Sequence, residues 1–457
     1  LPEQQWRIAK ARNRLSSMLD SITGKPILSF LIQVKIFHWP ICYAALNLNV
    51  SGKPSVPPID LPPLRLRNKS LLPIVQGGMG VGVSAHRLAG SVARLNAVGT
   101  ISSVDLRRHH PDLMARTAKT RDKASIDQAN LVALDRELRA ARNIAQGNGA
   151  IAVNVMRALE QYPAYVRQAC ESGADAIVAG AGLPLDLPEL TAAWPDMALI
   201  PILSDARGIS LLLKKWMRKN RLPDAIVIEN PRYAAGHLGA ARLDEVDSPH
   251  FAFEQVLQAT LELFQKLGIE PEKIPLIVAG GIHEPSQVRA LFGLGASAVQ
   301  LGTPFAVSEE GDAHPNFKRV LTQARPEDIV TFMSVAGLPA RGVRTPWLDN
   351  YLHKEAKLQS RAKQRDCTVG FDCLQQCGLR DGIARAGQFC IDRQLAFALQ
   401  GDVERGLFFR GSEKLPFGNA IRPVRDLIQF LLTGISPDKE SNDVQNNPGA
   451  HRWIPAV

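Results

Sequence analysis

The sequence predicts a (β/α)₈ barrel, and three observations carry that expectation. Eight short apolar runs alternate with helical segments between Leu71 and Phe305. The runs are continuous rather than alternating in polarity, as parallel strands buried on both faces are. Polar residues and glycines fall at the C-terminal ends of the runs or in the turns beyond them, at Gln76, Asn154, Gly180, Ser204, His237, Gly280 and Gly302. A barrel carries its site at those strand ends. The runner-up, an open doubly wound sheet, would place its phosphate glycines in the first strand-helix turn.

Taken in order, Leu72-Pro73-Ile74-Val75 is the first strand, followed by Gln76-Gly77-Gly78-Met79-Gly80. Ser84 then reads as the N-cap of a helix. Ala97-Val98-Gly99-Thr100-Ile101 is the second strand, and a long polar connection, 105–149, follows it. Within it, Leu131, Leu134, Leu138 and Ala141 recur at helical spacing. Ile151-Ala152-Val153-Asn154-Val155 is the third strand, with a helix over 162–172. Ala176-Ile177-Val178-Ala179 is the fourth and leads into Gly180-Ala181-Gly182. Ile200-Pro201-Ile202-Leu203-Ser204 is the fifth, with a helix over 210–220. Ala225-Ile226-Val227-Ile228 is the sixth, and a helix over 253–267 follows. Leu276-Ile277-Val278-Ala279 is the seventh, with a helix over 286–294, and Ala298-Val299-Gln300-Leu301 is the eighth.

The chain has 457 residues, enough for one barrel of about 250 residues with appendages. Its formal charge is +10, but the basic residues are dispersed and aromatics make up only 6%. A nucleic-acid surface is therefore not expected, while anionic cofactors and substrates are favoured. The six cysteines are too sparse for a disulfide scaffold and point to a reducing cytoplasm.

Residues 1–63 read as an N-terminal extension ending in a linker rich in proline, at Pro54, Pro57, Pro58, Pro62 and Pro63. The chain opens on leucine, which fits an alternative start, a processed end or an upstream boundary. Residues 27–48 are apolar, but Lys35 and His38 interrupt them and Pro40 follows. A membrane anchor is therefore not favoured, and no clean signal peptide is visible. Residues 64–335 are assigned to the barrel, 336–435 to a smaller, mostly helical lid containing cysteines, and 436–457 to a loose tail.

The candidate site centres on Tyr233-Ala234-Ala235-Gly236-His237-Leu238-Gly239. Glycines on both sides of the histidine admit a flat ligand, and imidazole suits proton transfer near neutral pH. A lone histidine is more often satisfied by a loop carbonyl; the repeated strand-then-glycine turns around this one shift the balance. Ala279-Gly280-Gly281-Ile282 and Leu301-Gly302-Thr303 follow strands seven and eight, the usual phosphate position in barrels. Gln76-Gly77-Gly78-Met79, at the other end, suits a planar ring with polar edges. A phosphate and such a ring together suggest flavin mononucleotide (FMN). No Gly-x-Gly-x-x-Gly supports a separate nicotinamide domain, so NAD(P)H would bind only transiently.

Cys367, Cys373, Cys377 and Cys390 have the spacing C-x5-C-x3-C-x12-C. Four thiolates can hold an iron–sulfur cluster or zinc. The spacing lacks paired CxxC, and a reduced, half-buried set without metal is the favoured reading.

These motifs, in this order from about residue 63 to 434, resemble the nitronate monooxygenase family, which also contains flavin-dependent enoyl-acyl carrier protein reductases. Its marks here are Pro73-Ile74-Val75-Gln76-Gly77-Gly78-Met79-Gly80, Asp175-Ala176-Ile177-Val178, Ala235-Gly236-His237-Leu238-Gly239, Ala279-Gly280-Gly281-Ile282 and Gln300-Leu301-Gly302-Thr303-Pro304-Phe305. The resemblance implies FMN held by Gln76, Gly77, Gly78, Met79, Asn154, Gly180, Gly236, Gly280, Gly281, Gln300, Gly302 and Thr303. It implies His237 as the catalytic proton-transfer residue. The substrates would be an alkyl nitronate or nitroalkane and oxygen, giving a carbonyl compound and nitrite. A homodimer is compatible with it. Two departures stand out: Ala235 replaces the first of two glycines before the histidine, and Ala181 follows strand four where the family often has Ser-Gly-Gly. The competing readings are an FMN-dependent NAD(P)H reductase of enoyl thioesters or quinones, and a barrel that binds a phospho-ligand without turnover.

Overall fold

The computed structural model describes residues 60–436, except 365, 366, 368–372 and 412. Linker prolines Pro54, Pro57 and Pro58, the apolar stretch at 27–48 and the C-terminal tail beyond residue 436 lie outside the described residues.

Eight parallel strands close into a barrel: Ile74–Gln76, Val98–Ser102, Ala150–Met156, Ala176–Gly180, Ala198–Leu203, Ile226–Glu229, Leu276–Ala279 and Ala298–Leu301. Each pairs with its sequence neighbours, and the eighth closes onto the first through Gln300 opposite Val75. Successive side chains of a strand point to opposite faces. Here the two faces feed two separate cores. In the sixth strand Val227 points inward with Val75, Val98, Val178 and Ile277. Ile226 and Ile228 point outward against the helices. Inward residues are mostly alanine and valine, as a narrow barrel interior requires, whereas the outer layer takes leucine, isoleucine and aromatics. Each such side chain removed from water contributes about 1.5–3 kcal/mol.

A hairpin, Leu64–Leu66 with Lys69–Leu71, precedes the barrel. Leu64, Leu66 and Leu71 join the inner core and cap its base. Arg67 Nε reaches Asp224 at 2.7 Å and Lys69 Nζ reaches Asp175 at 3.0 Å. Both aspartates precede strands and accept from the backbone of a neighbouring strand, Asp175 from Ile151 N and Asp224 from Leu199 N. The Asp175 motif is thus a joint at the base of the barrel, far along the strand from its C-terminal end.

The outer helices fall where the apolar spacing places them, including Phe253–Leu267 and Lys123–Ala145, the latter burying Leu134, Leu138 and Ala141. One cap differs from expectation. The first helix is His86–Arg94, with Ala85 at its N-cap. Ser84 instead accepts the Met79 N–H at 2.8 Å. The free N–H groups of Ala85, Arg87 and Leu88 donate to the Asp312 carboxylate at 2.8, 3.1 and 3.1 Å. A residue after the eighth strand therefore caps the helix after the first, which is invisible to a local motif.

Beyond the barrel, Ile329–Met333 and Pro339–Val343 form an antiparallel pair extended by Gly236–His237. A boundary at residue 335 would divide these two strands. Helices Pro346–Ser360, Ile391–Leu399 and Val424–Thr433 complete the lid region. No helix among the described residues is long and apolar enough to cross a membrane.

Candidate active site

A cavity of about 290 Å³ lies at the C-terminal ends of the strands, close to the lower size limit of small-molecule sites, about 300 Å³. Gly77, Gly78, Met79, Asn154, Gly180, Gly236, His237, Gly280, Gly281, Gln300, Gly302 and Thr303 all line it. One expected contact does not. Gln76 is fully buried, accepts the Thr100 N–H at 2.8 Å and donates to Thr100 O at 3.0 Å. Its amide ties strand one to strand two and has none left for a ligand, so its part is structural.

The glycines are there for space. A Cβ on Gly78 would stand 2.3 Å from the Asn154 Cβ. One on Gly281 would stand 2.8 Å from the Tyr233 ring, and φ there is +73°. Gly280 has φ +114°. These turns bring bare backbone to the cavity, with N–H groups that suit an anion. Thr303 is partly committed, because its hydroxyl oxygen accepts the Gly411 N–H at 3.2 Å. That bond ties the segment between lid helices Ile391–Leu399 and Val424–Thr433, with cavity-lining Glu413 and Lys414, to the expected phosphate turn. Ala181 lines the cavity with a methyl group, so the departure after strand four leaves no hydroxyl there.

His237 is positioned by the lid hairpin. It lies opposite Ala340, and Gly236 opposite Arg341. Leu238 N donates to Pro339 O at 3.0 Å. Buried Arg341 donates to Pro231 O at 3.1 Å and Ala234 O at 2.8 Å, bracing the loop that delivers the histidine. Gly239 passes so close to Ser204 that a Cβ would meet its hydroxyl at 2.2 Å. The His237 Nε2 is buried and, among the described residues, has no hydrogen-bond partner. Burial pushes the imidazole down to about 4, so it is neutral at physiological pH.

Several lining residues carry no motif. Glu229 ends the sixth strand, where its carboxyl is pushed up to about 7 by burial. Its place at a strand end is the one sequence signal that marks it. Asp392, on lid helix Ile391–Leu399, also lines the cavity and is pushed up to about 7, mainly by burial. It is held by Arg108 at 2.8 Å. Cys373, Leu374 and Phe409 add lid surface, and nothing local announces them.

Cys367, Cys373, Cys377 and Cys390 are all half-buried. Burial raises the Cys373 and Cys377 thiols. Among the described residues no three His, Cys, Asp or Glu side chains gather as metal ligands.

The residues present fit a flavin. A glycine-walled turn suits its phosphate, Met79, Asn154 and Gln300 offer an apolar and amide-edged seat for its ring, and the orphaned His237 Nε2 faces the same space. The nitronate monooxygenase family model matches residues 65–434. A probable nitronate monooxygenase of Bacillus subtilis is 26% identical over 290 residues, 61% of this chain and 78% of that protein. One of Staphylococcus saprophyticus is 29% identical over 134 residues, so that the match spans 28% of this chain and only 33% of the relative. Among solved structures, FabK from Thermotoga maritima superposes with a TM-score of 0.53 at 22% identity, covering 82% of this chain and 95% of that one. Nitroalkane oxidase from Streptomyces ansochromogenes gives 0.53 at 18% identity, covering 84% and 99%. These two likenesses establish the shared fold. Through the family match, the chain belongs to the nitronate monooxygenase family of flavin-dependent oxidoreductases.

Proposed function

We propose that this protein is an FMN-dependent nitronate monooxygenase, converting alkyl nitronates and oxygen to carbonyl compounds and nitrite. The observation that carries the reading is the His237 Nε2, buried, neutral and without a hydrogen-bond partner among the described residues, in a cavity walled by glycine turns. FMN, when bound, supplies the electron-accepting and oxygen-reactive chemistry. The chain would hold its phosphate at Gly280, Gly281, Gly302 and Thr303, and its ring at Gly77, Gly78, Met79, Asn154 and Gln300. His237 would place the nitro group of the substrate by hydrogen bonding. Leu374, Ile391, Leu395 and Phe409 give the lid side of the cavity an apolar lining, which would limit water around a bound substrate and strengthen polar contacts.

The test is anaerobic. Purified protein with a confirmed flavin spectrum is mixed with propyl nitronate or with NADPH while flavin absorbance is followed. Bleaching by nitronate alone is expected. Fast reduction by NADPH without a response to nitronate would move the assignment to an NAD(P)H-dependent reductase. His237→Ala should lower nitronate turnover on the order of 10²-fold, the usual cost of losing one preorganised hydrogen-bond donor.

A further inference from the structure

The cavity has two unlike ends. Its phosphate end is backbone and carries Glu413 and Lys414. Its other end, beyond Met79, is hydrocarbon drawn from distant stretches of chain. Helix Pro315–Gln323 turns Phe317 and Leu321 toward it, and lid helix Ile391–Leu399 turns Ile391, Leu395 and Ala398. Residues spaced by three and four lie on one side of a helix, so each helix offers the cavity a continuous apolar face. The lid helix is fixed in that orientation at Asp392, which Arg108 holds at 2.8 Å.

Four side chains show that protein leaves this end partly uncovered. Met79, Val104, Leu395 and Leu415 pack against one buried cluster, which contains Val81, Phe317 and Leu321. Each of the four nevertheless stays half-buried, and all four line the cavity. Apolar surface left open in a cavity favours an apolar occupant. Charge is arranged to the same effect. Among the described residues, Lys414 is the single lysine or arginine that lines the cavity, and it stands in the segment tied to the phosphate turn. An anion at the hydrocarbon end would find no cation lining it. The lid helix there brings the Asp392 carboxyl instead. His237 follows the sixth strand and Val104 the second, and these strands stand opposite each other in the closed ring. A substrate with its nitro group at His237 and its chain laid across the barrel mouth therefore runs toward Val104 and Leu395.

We propose that the hydrocarbon end is an alkyl subsite, that the substrates are nitronates with a long, uncharged chain, and that Val104, Leu395 and Leu415 set this preference. The inference rests on the functional reading above and narrows its substrate class. Nitronates that end in a carboxylate are rejected, because that charge would be buried without a counter-ion.

The full-length flavin-loaded protein is assayed for nitrite release with the nitronates of nitroethane, 1-nitrobutane and 1-nitrohexane. The value of kcat/KM should rise about fourfold for each added methylene. The nitronate of 6-nitrohexanoate should fall below that of 1-nitrohexane on the order of 100-fold. Leu395→Trp, which fills the subsite, should cut the preference for 1-nitrohexane over nitroethane on the order of tenfold. Binding is read apart from turnover by calorimetric titration with straight-chain primary alcohols. Their affinity should climb by the same factor, about fourfold per methylene, with a negative heat-capacity change. A flat chain-length series, a preference for the carboxylate-tailed nitronate, or a Leu395→Trp protein with the wild-type preference would overturn the proposal. Should Leu395→Trp not fold, the wild-type series and the alcohol titration decide. A flavin that propyl nitronate leaves unbleached defeats the monooxygenase reading itself. A flavin that is bleached, with rates and affinities indifferent to chain length, defeats only this inference.

Discussion

The two walls of the cavity follow opposite physical plans. The glycine wall, at Gly78, Gly280 and Gly281, is backbone with little room for side chains. The acid–base wall, at Glu229 and His237, consists of titratable groups at the cavity, and among the described residues the His237 Nε2 has no hydrogen-bond partner. A backbone wall recognises by shape and by fixed N–H directions, so a substitution there changes geometry. A wall of titratable groups recognises by protonation, so a substitution there changes pH dependence and can even add stability.

The largest effect should come from blocking the glycine wall. Gly281→Val combines a positive φ with a Cβ 2.8 Å from the Tyr233 ring. Overpacking of this kind costs about 1–3 kcal/mol, to which backbone strain adds about 1–3 kcal/mol. Fluorescence titration with FMN should show affinity down on the order of 100-fold. Unchanged affinity would place the cofactor elsewhere and dissolve the contrast between the walls.

The acid–base wall should respond to pH with two opposite signs. His237 is depressed in the fold, so its contribution is present above its unfolded value and is lost as pH falls through about 4. Glu229 is raised, so its contribution is complete below its unfolded value and is lost as pH rises through about 7. Glu229→Gln should therefore stabilise the flavin-free protein relative to wild type as pH rises, by about 1–3 kcal/mol at pH values above neutrality. His237→Gln should do so as pH falls through its window, by a similar amount, about 1–3 kcal/mol. Urea denaturation across pH measures both, and parallel profiles for the two variants would show that the groups are not separately buried.

A smaller effect tests the scaffold behind the glycine wall. Asp312→Ala removes the acceptor for three N–H groups of the first helix. The loss should be about 1–2 kcal/mol, as for an ordinary N-cap. Thermal melting measures it, and Ser84→Ala should cost less, because Ser84 does not cap that helix.

Much of this was legible in the chain. The eight apolar runs lie on the eight strands, and residues at or beyond the strands' C-terminal ends reach the cavity at Asn154, Gly180, His237, Gly280 and Gly302. Gln76 shows the limit of that rule. It stands at a strand end, yet its side chain turns to the neighbouring strand, and side-chain direction depends on the register of a partner. The same limit hid the cap on the first helix, whose acceptor lies 225 residues away along the chain from Arg87.

What the sequence determined by itself was the alternation of strand and helix, since apolar continuity and periodicity act over a few residues. It also determined where glycine permits turns that other residues resist. Tertiary structure alone decided which side chains share a solvent-shielded space. The Glu229 carboxyl and the His237 imidazole owe their displaced proton affinities to burial under a lid that begins some 100 residues later in the chain, roughly the length of a small domain. Desolvation is a property of everything packed around a group, and no local pattern encodes it.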